Sequence, residues 1–229
     1  MPGQSSKSSG GDSLGDRRAG LAALVAAAAW LTWVVLDAST GGALDGPRSG
    51  PNAAWGWLGT GLLVTWTGLV VPAALALCRA LRRSAPRVVP AATAAGIFSL
   101  GLWGVAALAR WWPAGLEPAF LALSAVWWLG IARPLRGARP RLGTLTLALG
   151  VAAACDAIVT AGEGRLPGWT FPVFGGAKLP LQLVWTITVG VALWRGTRLH
   201  DVRRLQPAAL DEHSAAPASK GNVPVHSDQ

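Results

Sequence analysis

Apolar residues in this chain do not alternate with polar ones. They run in six long stretches, at about 18–37, 55–78, 88–109, 117–135, 142–161 and 179–195, and each is bounded by arginine, proline or glycine. Each stretch is close to the ~20 residues that carry a helix across a ~30 Å hydrocarbon core. A chain crossing lipid must satisfy its backbone hydrogen bonds internally, so helices are expected rather than strands. The pattern predicts an all-α, polytopic membrane bundle of six transmembrane helices with both termini cytoplasmic. The first stretch, LAALVAAAAWLTWVVL over 21–36, is longer than a usual signal-peptide core, and Asp37 follows it where a cleavage site would need small residues.

Charge placement sets the expected orientation. With both ends inside, the inner segments hold Lys7, Arg17, Arg18, Arg79, Arg82, Arg83, Arg87, Arg133, Arg136, Arg139, Arg141, Arg195, Arg198, Arg203, Arg204 and Lys220. The outer side holds only Arg48, Arg110, Arg165 and Lys178. That asymmetry obeys the positive-inside rule and predicts a multi-pass protein of the cell membrane. It also accounts for the net charge of +9. Nucleic acid is therefore not among the expected partners, since no basic run belongs to a folded soluble domain.

The body of the protein is expected over 17–204 as one membrane domain. Residues 1–16 are Ser/Gly-rich and 205–229 mix Pro, Ala, Ser, His and acids, so both read as disordered tails. Two inner loops, 81–87 and 135–142, are short and force antiparallel neighbours. Two outer segments, 38–54 and 162–178, are long enough to suggest function. Pro72, Pro90 and Pro180 fall within spans or near their ends, and Pro72, deep in the second span, is expected to kink it or open a local backbone site. Gly56, Gly59, Gly61, Gly101 and Gly104 are candidates for close helix approach.

Composition removes several chemistries. The two cysteines, Cys78 and Cys155, fall at opposite helix ends, too far apart for a disulfide. All three histidines follow the last span, so no haem or histidine-held metal centre is expected inside the membrane. Thirteen tryptophans and no tyrosine remain. Trp55, Trp57, Trp111, Trp112 and Trp169 suit an outer interfacial belt and Trp194 an inner one. Trp30, Trp33, Trp66, Trp103, Trp127, Trp128 and Trp185 lie inside spans.

Charged groups within spans point to function by default. Asp156 stands deep in the fifth span, flanked by Cys155, Ala157 and Ile158. It is either a catalytic or ligand-binding acid, or an interfacial acid paired with Arg110 or Lys178. Asp37 lies at a matching depth in the first span, at the start of a polar loop. Glu117 opens the fourth span, where a carboxylate favours a helix N-terminus. A dry cavity walled by indoles and furnished with carboxylic acids suits terpenoid cyclisation. An acid protonates an alkene or epoxide, indole faces hold the carbocation, and the dry walls delay its capture by water.

The stretch from Cys155-Asp156 through Trp169-Thr170-Phe171 and Gly175-Gly176 to Leu179-Pro180-Leu181-Gln182 resembles the lycopene cyclase domain of bacterial and archaeal membrane carotenoid cyclases. That family has a helix ending in Asp, a W-x-F loop, a glycine and a helix opened by Pro-Leu-Glu-Glu. The resemblance covers roughly 116–195. Gln182 and Leu183 stand where the family carries two glutamates, so the acids here would have to be Asp156 as proton donor and Asp37 as second acid or counter-ion, with Glu117 as a further candidate. The resemblance implies a membrane-bound terpene cyclase of isomerase or lyase type, acting in carotenoid or other isoprenoid secondary metabolism without a metal or redox cofactor. It implies a substrate site of Trp169, Phe171, Trp128, Trp185 and Gln182. The implied partners are membrane lipid and a hydrophobic isoprenoid, with a homo- or hetero-oligomer left open. The competing expectation is a non-enzymatic six-helix protein, either a small-solute carrier or a subunit of a membrane complex.

Overall fold

A computed structural model describes residues 9–45, 49, 53–109, 115–162 and 170–195. The described chain is all-helical: α1 (Ser9–Ser39), α2 (Ala53–Leu81), α3 (Val88–Ala109), α4 (Leu116–Ala138), α5 (Pro140–Ala161) and α6 (Thr170–Trp194), with one 3₁₀ turn at Ala43–Asp45. All six helices are long and apolar enough to cross a membrane. The protein is thus a multi-pass helical membrane protein.

Each helix packs against its neighbours in sequence, and α6 returns to pack on α1. The result is a closed ring of six, with α2 also touching α4 and α6 across the middle. The connections enforce the up-and-down order. Only Arg139, in extended backbone, separates α4 from α5, and its N–H donates to the Leu135 carbonyl at 2.6 Å. Pro140 then occupies the first turn of α5, where its missing N–H costs nothing. The arginines of α1, the α2–α3 turn, the α4–α5 turn and Arg195 therefore share one end of the bundle. There Arg79 and Asp16 sit 3.7 Å apart, an exposed pair worth little.

Helix contacts inside lipid depend on close packing rather than on expulsion of water. Ring closure between α1 and α6 uses Gly20, where a Cβ would overlap the backbone of Gly190 and Trp194. Gly61 and Gly101, expected to seat neighbours, are exposed and face open space. Their spans are apolar on all sides, so no polar face reveals which way a glycine points.

Three further expectations change. Helix α1 begins at Ser9, inside the segment read as disordered. Within the segment 162–178, expected as an outer connection, α6 starts at Thr170 and takes in Gly175, Gly176 and Lys178. Pro180 therefore lies inside α6 instead of opening it, and it removes the N–H that would bond the Gly176 carbonyl. The C-terminal tail lies outside the described residues, as do residues 1–8. Both cysteines are free and half-buried.

Candidate functional site

The ring encloses a chamber of about 260 Å³ to which all six helices contribute. Its lining positions fall in the later halves of α1, α3 and α5 and in the first halves or middles of α2, α4 and α6. The chamber thus occupies the arginine-poor half of the bundle. On α4 it runs from Glu117 to Trp128, a rise of about 16 Å at 1.5 Å per residue.

The seven tryptophans expected deep within the spans all line this chamber, whereas Trp55 and Trp57 near the start of α2 and Trp194 at the end of α6 do not. Trp30 stacks on Trp33 with centroids 5.4 Å apart and planes 8° apart, and meets Trp66 of α2 at 4.9 Å. On the other side Trp127 and Trp128 of α4 stand edge-on to Trp185 of α6, at 5.5 and 6.4 Å. Trp103 of α3 and Phe120 of α4 meet at 4.2 Å nearer the mouth. Gly96 of α3 makes room for this wall, since a Cβ there would overlap the Trp127 ring.

The polar groups of the chamber are few. Asp156, on the last turns of α5, accepts a hydrogen bond and an ion pair from Lys178 of α6. Their side chains are only 6% and 14% exposed. Of the two cations expected to face Asp156, Lys178 is its partner; Arg110 lies outside the described residues. The Lys178 ammonium also stands 5.9 Å from the Phe120 ring centroid, within cation–π range. Ser99 and Ser124 hydrogen-bond across α3 and α4 at 2.7 Å, and Ser99 donates to the Phe120 carbonyl at 2.9 Å. The Trp185 indole donates to Thr146 at 2.9 Å, and that hydroxyl donates to the Leu142 carbonyl. The ring nitrogens of Trp33, Trp66, Trp127 and Trp128 are buried without a hydrogen-bond partner among the described residues. Each such donor costs about 1–3 kcal/mol, a local penalty of the kind functional sites carry.

The expected site residues divide. Asp156, Glu117, Trp128, Trp185 and Gln182 all line the chamber. Glu117 is exposed in the first turn of α4, at the mouth. Gln182 is buried on the turn of α6 after Lys178. Asp37 is not part of the lining. Its carboxylate accepts the Leu44 N–H at 3.2 Å and its carbonyl the Gly42 N–H at 2.9 Å, so it organises the turn after α1. That turn needs Gly41 and Gly42 at φ 66° and 87°, which other residues rarely adopt. Phe171 falls in the first turn of α6 with its side chain outside the described residues, and Trp169 lies outside them altogether. No group of three or more metal-ligating side chains occurs among the described residues.

Lys178 was expected as a partner of Asp156; Phe120 and the Ser99–Ser124 pair are the site features that residue type did not select. Two serines within apolar spans were the available signal.

Comparison with known proteins finds no family model that matches the chain, no similar curated protein and no similar solved structure. The fold defines a class, a multi-pass six-helix membrane protein, and the chamber supplies the remaining argument about function.

Proposed function

We propose that the protein is a membrane-embedded terpenoid cyclase that takes the reacting end of a polyprenyl compound into the tryptophan-lined chamber. The observation that carries this reading is the convergence of seven tryptophans from five helices on one cavity that also holds Glu117 and Asp156. At about 260 Å³ the chamber is near the lower edge of small-molecule sites, so the rest of a long chain would stay in the bilayer.

The roles follow from position. Glu117, at the mouth and within reach of water, takes a proton from that water and passes it to a terminal epoxide or alkene. The cation formed moves inward past Trp103 and Phe120 to the indole faces, which hold it by cation–π attraction. An ion-paired carboxylate is an acceptor, so Asp156 serves as counter-charge and takes up the proton that ends the cascade. The proton supplied equals the proton lost, and the reaction is a net isomerisation that requires no oxidant. Lys178 fixes Asp156, and Gln182 offers an amide to a substrate oxygen. The protein would act in the cell membrane with the arginine-rich end and both termini in the cytoplasm.

The test is expression in a host supplying lycopene or an epoxidised prenylated aromatic, with products read by mass spectrometry. A cyclised product lost in Glu117→Gln and Asp156→Asn supports the reading; no product from either substrate class, with labelled substrate bound, replaces it by a second reading. The ion pairing of Asp156 favours that second reading, a non-enzymatic carrier or complex subunit that binds the same kind of molecule unchanged.

A further inference from the structure

A second cavity lies at the opposite, arginine-rich end. It is a groove of about 700 Å³ between the α4–α5 turn and the last turns of α6. Arg139, Arg141 and Arg195 line it, and no acid does. Neither ion pair found among the described residues involves any of these three guanidiniums. The wall beside them is apolar, with exposed Ile187 and half-buried Val191 on α6 facing the lipid zone. The start of α5 also opens here. Its cap residue Arg139 makes no side-chain cap bond, so the positive end of that helix adds to the same field.

We propose that this groove holds one anionic phospholipid, its phosphate among Arg139, Arg141 and Arg195 and an acyl chain along Ile187 and Val191. Guanidinium groups match phosphate oxygens with paired N–H donors. Basic pockets between helices at the interface select such headgroups over zwitterionic ones. The apolar wall, continuous with the charged rim, favours a lipid over free phosphate, which would use only the rim. This site is separate from the aromatic chamber and does not depend on what that chamber binds.

The test is native mass spectrometry of the full chain released from micelles containing equal phosphatidylglycerol and phosphatidylcholine. One phosphatidylglycerol should be retained with a preference of about tenfold or more, because arginines near the membrane surface attract anionic headgroups. The triple variant Arg139→Gln/Arg141→Gln/Arg195→Gln should lose that preference. The triple variant Arg82→Gln/Arg83→Gln/Arg87→Gln, at the same end but outside the groove, should keep it. Equal retention of both lipids by the unaltered chain, or equal loss in both triple variants, would overturn the proposal. So would displacement of the lipid by millimolar inorganic phosphate. If the first triple variant does not fold, Arg141→Gln alone, at an exposed position, must reduce the preference.

Discussion

Lys178 on α6 reaches the Asp156 carboxylate on α5 inside the apolar half of the bundle, and together they form the one ion pair found in the chamber among the described residues. Neither charge is stable there alone. Removing one partner of a buried pair typically costs ~3–5 kcal/mol, whereas replacing both by apolar groups is often neutral. Lys178→Met should therefore lower the melting temperature markedly, and Lys178→Met/Asp156→Leu should recover most of it. Thermal unfolding in detergent, followed by tryptophan fluorescence, measures both. Additive losses would mean that the pair is not coupled.

Glu117 and Asp37 are separated by the same experiment in opposite directions. Glu117→Gln should abolish turnover while the chain still folds, because the amide keeps the size and hydrogen-bonding capacity of the side chain but cannot deliver the proton. Asp37→Ala should keep turnover, because Asp37 lies outside the chamber lining, and should cost about 0.5–1.5 kcal/mol for its hydrogen bond to Leu44. Product formation read beside a melting curve distinguishes the two. Loss of turnover in Asp37→Ala alone would contradict the site described.

Gly96→Ala tests the wall of the chamber. The added methyl group meets the Trp127 ring, so the ring must turn or α3 must withdraw. Overpacking of this kind costs ~1–3 kcal/mol. The Trp127–Trp185 edge contact should be lost, with a shift in tryptophan emission and weaker ligand binding than in Gly101→Ala, which faces open space.

Thr146→Val removes the acceptor of the Trp185 indole while nearly preserving shape. A buried N–H left unpaired costs about 1–3 kcal/mol. Thr93→Val removes a hydroxyl that has no partner among the described residues, and should cost less or nothing. The difference between the two melting temperatures reads the worth of the Trp185–Thr146 bond.

Most of the fold was legible because the bilayer is a severe filter. The ends of α3 coincide with those expected, and those of α2, α4 and α5 lie within a few residues, since arginine and proline mark where an apolar run must stop. The start of α6 was not legible. Gly175-Gly176 and Pro172 read as loop and Pro180 as the opening of the span, yet Pro172 sits in a first turn that tolerates it and Pro180 is accommodated inside the helix. The chamber was legible only in its ingredients. Trp128, Trp185, Gln182, Asp156 and Glu117 could be picked out by type, but Asp37 had equal claim by depth. Its side chain is turned to Leu44 instead, because Gly41 and Gly42 fold the following turn back.

Hydropathy along the chain suffices for the number, length and alternation of the helices, because lipid penalises every unsatisfied backbone group and every buried charge. It says nothing about rotation around each helix axis, since spans apolar on every side have no preferred face. Packing decides that rotation: Gly20 against α6, Gly96 under Trp127, and the Asp156–Lys178 pair between α5 and α6. Only those contacts turn seven scattered tryptophans into one chamber.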